Sequence, residues 1–169
     1  APVTTGAPDT KRSGPYAGKR AVDLALVAIV ALPALVIGAL TALAIRFTSR
    51  GPVLFRQERI GRMGEPFELV KFRTMLAGDN PVFPDADRIT RVGKVLRRLS
   101  FDEIPQLLTV VRGEMSIIGP RPTLAYQVER YDERQWRRLS VRPGVAGWAQ
   151  LKGRNEIPWA QRIEHDLEY

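Results

Sequence analysis

Between Arg20 and Arg46 the chain reads AVDLALVAIVALPALVIGALTALAI, an apolar run whose only charge is Asp23 and whose middle holds Pro33. From Leu24 to Ile45 there are 22 uncharged residues, matching the ~20 a helix needs to cross a hydrocarbon core. Pro33 withholds one backbone donor and crowds the preceding turn, so a bend or break is expected there. Lys19 and Arg20 precede the run and Arg46 and Arg50 follow it, so neither flank is marked as the outer one. Two topologies stay open on this pattern: a kinked single span, and a helix-break-helix that dips into one leaflet and returns. A cleaved signal peptide fits poorly, because the run is too long for an h-region and no small-residue cleavage site closes it. A buried core helix fits poorly too, since the segment has no polar face to meet water.

Beyond Gly51-Pro52 the pattern changes to short alternation. VLFRQERIG and PFELVKFRTM predict two strands around the turn Arg62-Met63-Gly64, a hairpin. Residues 77 to 87 read as a loop, with Asp87 placed to cap the helix that follows. Ile89, Val92, Leu96 and Leu99 recur at helical spacing, with Arg88, Arg91, Lys94 and Arg98 on other faces. Such a basic amphipathic helix is either a solvated face or one that lies on anionic lipid, and the adjacent apolar run favours the second. Ile104, Leu107, Leu108 and Val111 predict another helix ending at Gly113, then an extended Ser116 to Ile118 and a stiff turn, Gly119-Pro120-Arg121-Pro122. A helix is expected over Leu124 to Leu139, and loop with short strand over VRPGVAGWAQLKGRN. Residues 1–18, rich in Pro, Gly, Ala and Thr, predict a flexible leader. Three parts follow: leader 1–18, membrane helix and flanks 19–50, and a folded domain 51–169, with no internal repeat.

Composition narrows the chemistry. Of 169 residues, roughly 120 remain for a soluble core, enough for one small domain. Lys and Arg number 26 against 18 Asp and Glu, a net charge of +8 and a sequence pI near 10.4, which favours anionic partners such as lipid headgroups and phosphorylated substrates. No helix-turn-helix or aromatic-rich signature points to nucleic acid. Cysteine is absent and histidine occurs once, at His165, which excludes disulfides, thiol nucleophiles and histidine-rich zinc sites. A metal would have to be held by oxygen ligands, which points to Mg2+ or a similar hard cation.

Asp102 and Glu103 are the most suggestive pair, because adjacent carboxylates beside a basic helix can supply a nucleophile and a metal ligand within one turn. Against this, Ser100-Phe101-Asp102-Glu103 has the spacing of a capping box, and the pattern alone favours the cap. Pro105 biases Ile104 away from helical geometry and predicts an irregular helix entry. Arg121, between two prolines, presents a guanidinium on a stiff turn suited to bidentate phosphate capture. Lys71, Arg73 and Arg97 are further clamp candidates, each more commonly plain surface charge when taken alone. Trp148 and Trp159 suit stacking or an interfacial anchor, though core packing is the commoner fate. A non-catalytic basic membrane-bound scaffold would share the composition.

The run LSFDEIPQLLTVVRGEMSIIGPRP, with KFRTM before it and VRPGVAGWAQLKGRN after it, resembles the bacterial sugar transferase family, the monotopic polyprenyl-phosphate phosphoglycosyl transferases. The resemblance covers Lys19 to the end of the chain. It implies transfer of sugar 1-phosphate from a nucleotide diphosphate sugar, usually a UDP-sugar, to undecaprenyl phosphate at the cytoplasmic face of the bacterial inner membrane, the first membrane step of glycan or exopolysaccharide assembly. It implies Asp102 as a nucleophile that becomes covalently phosphoglycosylated with release of UMP, and Glu103 with Asp102 as Mg2+ ligands. Lys71, Arg73, Arg97 and Arg121 are implied to bind phosphate. It also tips the apolar segment toward a re-entrant helix broken at Pro33, although Leu32 stands where relatives often carry Ser. Relatives continue past the position of Tyr169, so a trimmed C-terminus is expected. The expected fold class is α+β: a Pro-kinked re-entrant membrane helix, then a small helical catalytic domain with short strands and interfacial amphipathic helices.

Overall fold

The structure, a computed structural model, describes residues 18–76, 88–153 and 158–169. Residues 1–17 of the leader, the loop 77–87 with its expected cap Asp87, and residues 154–157 lie outside the described residues.

The apolar run forms one helix, α1 (Lys19–Thr48), of 30 residues, or about 45 Å at 1.5 Å per residue. Among the described residues it alone is long and apolar enough to cross a membrane, with a mean hydropathy of 2.6 in its most apolar window. Ile29, Leu32 and Leu35 are more than 70% exposed, a surface that water does not favour. Pro33 lies inside the helix and does not divide it, contrary to the expected break. A proline removes a single helical hydrogen bond, and the turns on either side of it carry the helix through.

Both ends of α1 rest on the folded domain. At the first turn Lys19 Nζ donates to Ser116 Oγ (2.6 Å) and to the Ile118 carbonyl (3.1 Å), and Arg20 donates to the carbonyls of Val110 and Val111. Asp23 is buried, accepting from Ser116 Oγ at 2.8 Å and from the Ile117 amide at 3.1 Å. At the other end Ile45 is buried with Phe72 and Leu96, and Arg73 donates to the Ser49 and Arg50 carbonyls that end the helix.

Strands β1 (Leu54–Ile60) and β2 (Pro66–Phe72) form the expected antiparallel hairpin, with Leu54 opposite Phe72 and Ile60 opposite Pro66. Its turn places Met63 at φ 58°. Helix α2 (Arg91–Leu99) is capped by Thr90, whose Oγ1 accepts from the Gly93 amide at 2.9 Å. Gly93 is required by proximity: a Cβ there would stand 2.0 Å from the Thr74 carbonyl oxygen. Leu96 faces inward while Val95 and Leu99 stay exposed. A 3-10 turn (Phe101–Glu103) leads into α3 (Gln106–Arg112), which closes on Gly113 at φ 86°, as expected. Ile104 is nonetheless helical (φ −51°, ψ −42°), so Pro105 continues the turn rather than breaking it.

Strands β3 (Ser116–Ile118) and β4 (Gly144–Ala146) pair in parallel, joined through the Pro-Arg-Pro turn and a helical excursion. That excursion is not the single helix expected over Leu124 to Leu139. It divides into α4 (Ala125–Val128), α5 (Glu133–Trp136) and a 3-10 turn (Arg137–Ser140). Asp132 causes the division: its carboxylate accepts from the Gln135 amide at 2.8 Å, starting a new helix where the old one would have continued. The tail departs from expectation as well. After β4 it forms α6 (Trp148–Gly153), whose Gln150 amide closes on the Gly147 carbonyl at 3.0 Å, and α7 (Trp159–Leu167) packs beside it. Three apolar clusters hold this α+β domain together: Ile60 with Val128, Trp136 and Leu139; Phe67 with Leu69, Val110 and Met115; and Ile45 with Phe72 and Leu96.

Candidate active site

Ser100 decides how the acid pair is presented. The capping box expected at Ser100 does not form: Ser100 ends α2 in the left-handed region at φ 58° and makes no side-chain cap to the next turn. A non-glycine residue held there is uncommon, and such conformations concentrate at functional sites. The reversal it imposes carries Asp102 and Glu103 on a 3-10 turn against β2. Lys71 near the end of β2 donates to Glu103 Oε1 at 2.8 Å, and Arg121 Nη2 donates to the same oxygen. Arg97, in the last turn of α2, donates through Nε to Thr74 Oγ1 at 2.9 Å, and its charge acts on Asp102.

The adjacent carboxylates are held differently. Burial would raise Glu103, but Arg121 and Lys71 outweigh it and keep that carboxyl below its ordinary value. Asp102, only 9% exposed, forms no ion pair with a described residue. Burial pushes its carboxyl above the ordinary aspartate value, the nearby Glu103 charge adds to the rise, and the attraction of Lys71 and Arg97 offsets only part of it. Lys71 in turn is lowered by burial and by Arg121, more than Glu103 restores. The site therefore holds one firmly ionised carboxylate and one under-neutralised carboxylate, side by side.

Of the residues read from the sequence, the structure gathers Lys71, Arg97, Asp102, Glu103 and Arg121. Arg73 is not brought to the acid pair: it is buried and spends its guanidinium on Ser49 Oγ (2.8 Å), the Ser49 carbonyl (3.0 Å) and the Arg50 carbonyl (2.6 Å). It fastens the end of α1. Pro33 lies in the exposed middle of α1. Trp148 donates to Glu168 Oε2 at 3.0 Å, and Trp159 packs its ring 5.9 Å from the Arg138 guanidinium.

Two features had gone unread. Arg59, half-buried on β1, donates to Gln57 Oε1 at 2.7 Å and to the Pro122 carbonyl at 3.5 Å. Burial first and the Arg121 charge second lower it to about 10. Strand alternation carried a signal, since Gln57 and Arg59 fall on the more buried face and Arg56 and Glu58 on the exposed one. The other is the buried pair Arg138–Asp166: Arg138 Nε donates to Asp166 Oδ2 at 2.6 Å, Nη1 to the Tyr131 hydroxyl at 2.7 Å and Nη2 to the Arg121 carbonyl at 2.6 Å. It holds the backbone of the turn that aims Arg121, and a partnership 28 residues apart leaves no local pattern.

Comparison with known proteins places the whole described domain in one family. The family profile described as bacterial sugar transferase matches residues 15–169. The exopolysaccharide production protein ExoY of Sinorhizobium fredii is 40% identical over 166 residues, covering 86% of this chain and 71% of that protein. The UDP-glucose:undecaprenyl-phosphate glucose-1-phosphate transferase of Escherichia coli is 40% identical over 164 residues, 89% of this chain but 35% of that protein. The UDP-N-acetylgalactosamine-undecaprenyl-phosphate N-acetylgalactosaminephosphotransferase of Aeromonas hydrophila is 38% identical over 164 residues, 89% of this chain and 38% of that protein. This chain thus spans a little over a third of the length of the last two relatives. With the acid pair, its cations and a profile match across nearly its whole length, the chain belongs to the bacterial sugar transferase family.

Proposed function

We propose that the chain transfers a sugar 1-phosphate from a UDP-sugar to undecaprenyl phosphate by way of a covalent intermediate on Asp102. The observation that carries this reading is the unequal treatment of adjacent carboxylates: Glu103 is tied to Lys71 and Arg121, whereas Asp102 has no ion-pair partner among the described residues. A committed carboxylate makes a poor nucleophile; an uncommitted one beside cations makes a good one. The names of the Escherichia coli and Aeromonas hydrophila relatives differ in sugar and share uridine diphosphate and undecaprenyl phosphate. The side chains gathered here likewise suit the phosphates.

In the first step an Asp102 oxygen attacks the sugar-linked phosphorus of the donor. The bond from that phosphorus to the bridging oxygen breaks, and UMP departs with the electron pair. In the second step a phosphate oxygen of undecaprenyl phosphate attacks the same phosphorus, and the bond to Asp102 breaks, restoring the carboxylate and leaving the sugar on a lipid diphosphate. Lys71, Arg97 and Arg121 neutralise charge that accumulates on the transferring group, the dominant requirement of phosphoryl transfer. Two adjacent carboxylates with no larger ligand cluster among the described residues fit Mg2+, which is commonly held by one or two carboxylates together with substrate phosphates. Bound there it would supply further neutralisation of the phosphates, with Asp102 and Glu103 as its protein ligands.

The same reading places the domain on one membrane face, the cytoplasmic side of the bacterial inner membrane. One face of α1 packs on the domain from Asp23 and Val27 through Gly38 to Ile45 while the other is bare apolar surface, which favours a helix lodged in one leaflet over one that separates its ends across the bilayer. The chemistry favours it too, because a soluble nucleotide sugar and a lipid phosphate must both reach Asp102.

The test is a donor labelled in its sugar phosphate, supplied without acceptor. Label should accumulate on the protein and leave it when undecaprenyl phosphate is added, and Asp102→Asn should abolish both. Full turnover in Asp102→Asn would refute the nucleophile. Topology is tested in this cysteine-free chain by single cysteines near Arg20 and Arg46, which should react from the same side.

A further inference from the structure

Arg59 is the cation of the site whose charge is least spent. It forms no salt bridge with any described residue, its amide and carbonyl partners are neutral, one of them lies at 3.5 Å, and its Nε is buried without a hydrogen-bond partner. A half-buried guanidinium that combines repulsion from Arg121 with an unspent donor costs stability unless an anion joins it. Its partners set it beside the Arg121 turn and apart from the acid pair. Lys71 and Arg97 act on Asp102, and Arg121 binds Glu103. Arg59 pairs with neither carboxylate and donates instead to Pro122, behind the Arg121 turn.

We propose that Arg59, with Arg121, forms the site for the phosphate that is exchanged, holding the phosphate of the departing nucleoside monophosphate and then the phosphate of the incoming lipid. The assignment rests on the covalent reading above. An in-line displacement puts leaving group and nucleophile on opposite sides of the phosphorus, so the acceptor must enter from where the nucleotide left. One cationic pocket therefore serves both, and UMP competes with the lipid phosphate for it. Neither substrate needs the whole of Lys71 and Arg97, which stay with the phosphorus bound to Asp102.

The experiment uses the full chain in detergent, comparing Asp102→Asn with Asp102→Asn/Arg59→Gln by calorimetric titration with UMP and with uridine. Loss of a charged hydrogen-bond donor should raise the Kd for UMP about 10- to 100-fold, with uridine binding unchanged. In the Asp102-intact chain, Arg59→Gln should raise the KM for undecaprenyl phosphate in the same range and weaken UMP inhibition. If the glutamine variant fails to fold, Arg59→Met preserves the stem and gives the same readout. Unchanged UMP affinity in a folded variant overturns the assignment, and so does an equal loss for uridine, which would mark a structural role. Retained turnover by Asp102→Asn would instead count against the covalent reading, so the two failures are told apart.

Discussion

Asp166 with Arg138 and Asp102 with Glu103 are neighbouring buried charge clusters, joined through the Arg121 turn, yet they are composed differently. In the first, one carboxylate meets one guanidinium, and the remaining guanidinium donors go to the Tyr131 hydroxyl and the Arg121 carbonyl. In the second, two carboxylates face Lys71, Arg97 and Arg121, with Arg59 behind them, and Asp102 has no ion-pair partner among the described residues. Charge matched one to one, with the guanidinium spread over a carboxylate, a hydroxyl and a carbonyl, is the mark of a framework. Surplus cations around an unpaired carboxylate mark a candidate functional site, the one proposed above to take phosphate.

The comparison is broken most severely at the balanced cluster. Asp166→Leu leaves Arg138 buried with no counter-charge, which should cost about 3–5 kcal/mol of folding stability. Adding Arg138→Met should recover most of that loss, since a packed apolar pair commonly replaces a buried ion pair at little cost. The recovered double variant lacks the donor to the Arg121 carbonyl. Chemical denaturation checks the stability, and turnover should stay below that of the unsubstituted chain because the Arg121 turn is no longer held.

The surplus cluster should respond in activity. Glu103→Gln keeps the shape of the side chain but removes the charge that gathers Lys71 and Arg121. The expected loss is about 10²- to 10³-fold in kcat/KM, comparable to removing one preorganised electrostatic group. Steady-state UMP release measures it. A loss below threefold would mean that Glu103 serves the framework and would erase the distinction between the clusters.

The same distinction explains what was legible in the chain. Local signals survived: the 22-residue uncharged run became α1, the alternation around Arg62-Met63-Gly64 became a hairpin, and Gly113 closed α3. That Lys71, Arg97, Asp102, Glu103 and Arg121 belong to one cluster was legible because short motifs carry them. Readings failed where distant partners decide. Ser100 had the spacing of a cap, but the close approach of Gly93 to Thr74 fixes α2, and Ser100 then serves as its left-handed terminus. Arg73 looked like a phosphate ligand until α1 supplied carbonyls for it. Arg138 and Asp166 are meaningful only as a pair. The helix expected over Leu124 to Leu139 failed locally, because Asp132 offers its own amide-binding carboxylate in place of one more helical turn.

α1 offers a second contrast and a smaller effect. Its N-terminal attachment is polar, centred on buried Asp23, and its C-terminal attachment is largely apolar, centred on Ile45. Asp23→Asn keeps an acceptor for Ser116 while removing the charge opposite Lys19, which lies 3.8 Å away. Stability should fall by about 1–2 kcal/mol, as expected when a buried charged hydrogen bond becomes neutral. Ile45→Val, which removes one methylene, should cost about 1 kcal/mol. Thermal unfolding in detergent should rank the two in that order.

The smallest effect is also the most specific to the reading of Asp102. Its folded pKa is raised above the unfolded value, so its contribution to stability is fully present below about 3.9, the unfolded value, and is lost as pH rises through the folded one. At neutral pH the ionised, buried, unpaired carboxylate is a net cost to the fold. Asp102→Asn should therefore abolish turnover while stabilising the chain by about 1 kcal/mol at pH 7, the trade expected of a strained functional group. The gain should shrink as pH falls and vanish below the unfolded value. Glu103 has the opposite sign: its lowered pKa gives stability present above its ordinary value and lost as pH falls through the folded one. Glu103→Gln should thus destabilise at pH 7 and converge with the parent in acid. Urea unfolding of both variants from pH 3 to pH 8 reads the two signs directly, and a destabilised Asp102→Asn at neutral pH would mean that the Asp102 charge supports the fold rather than costing it.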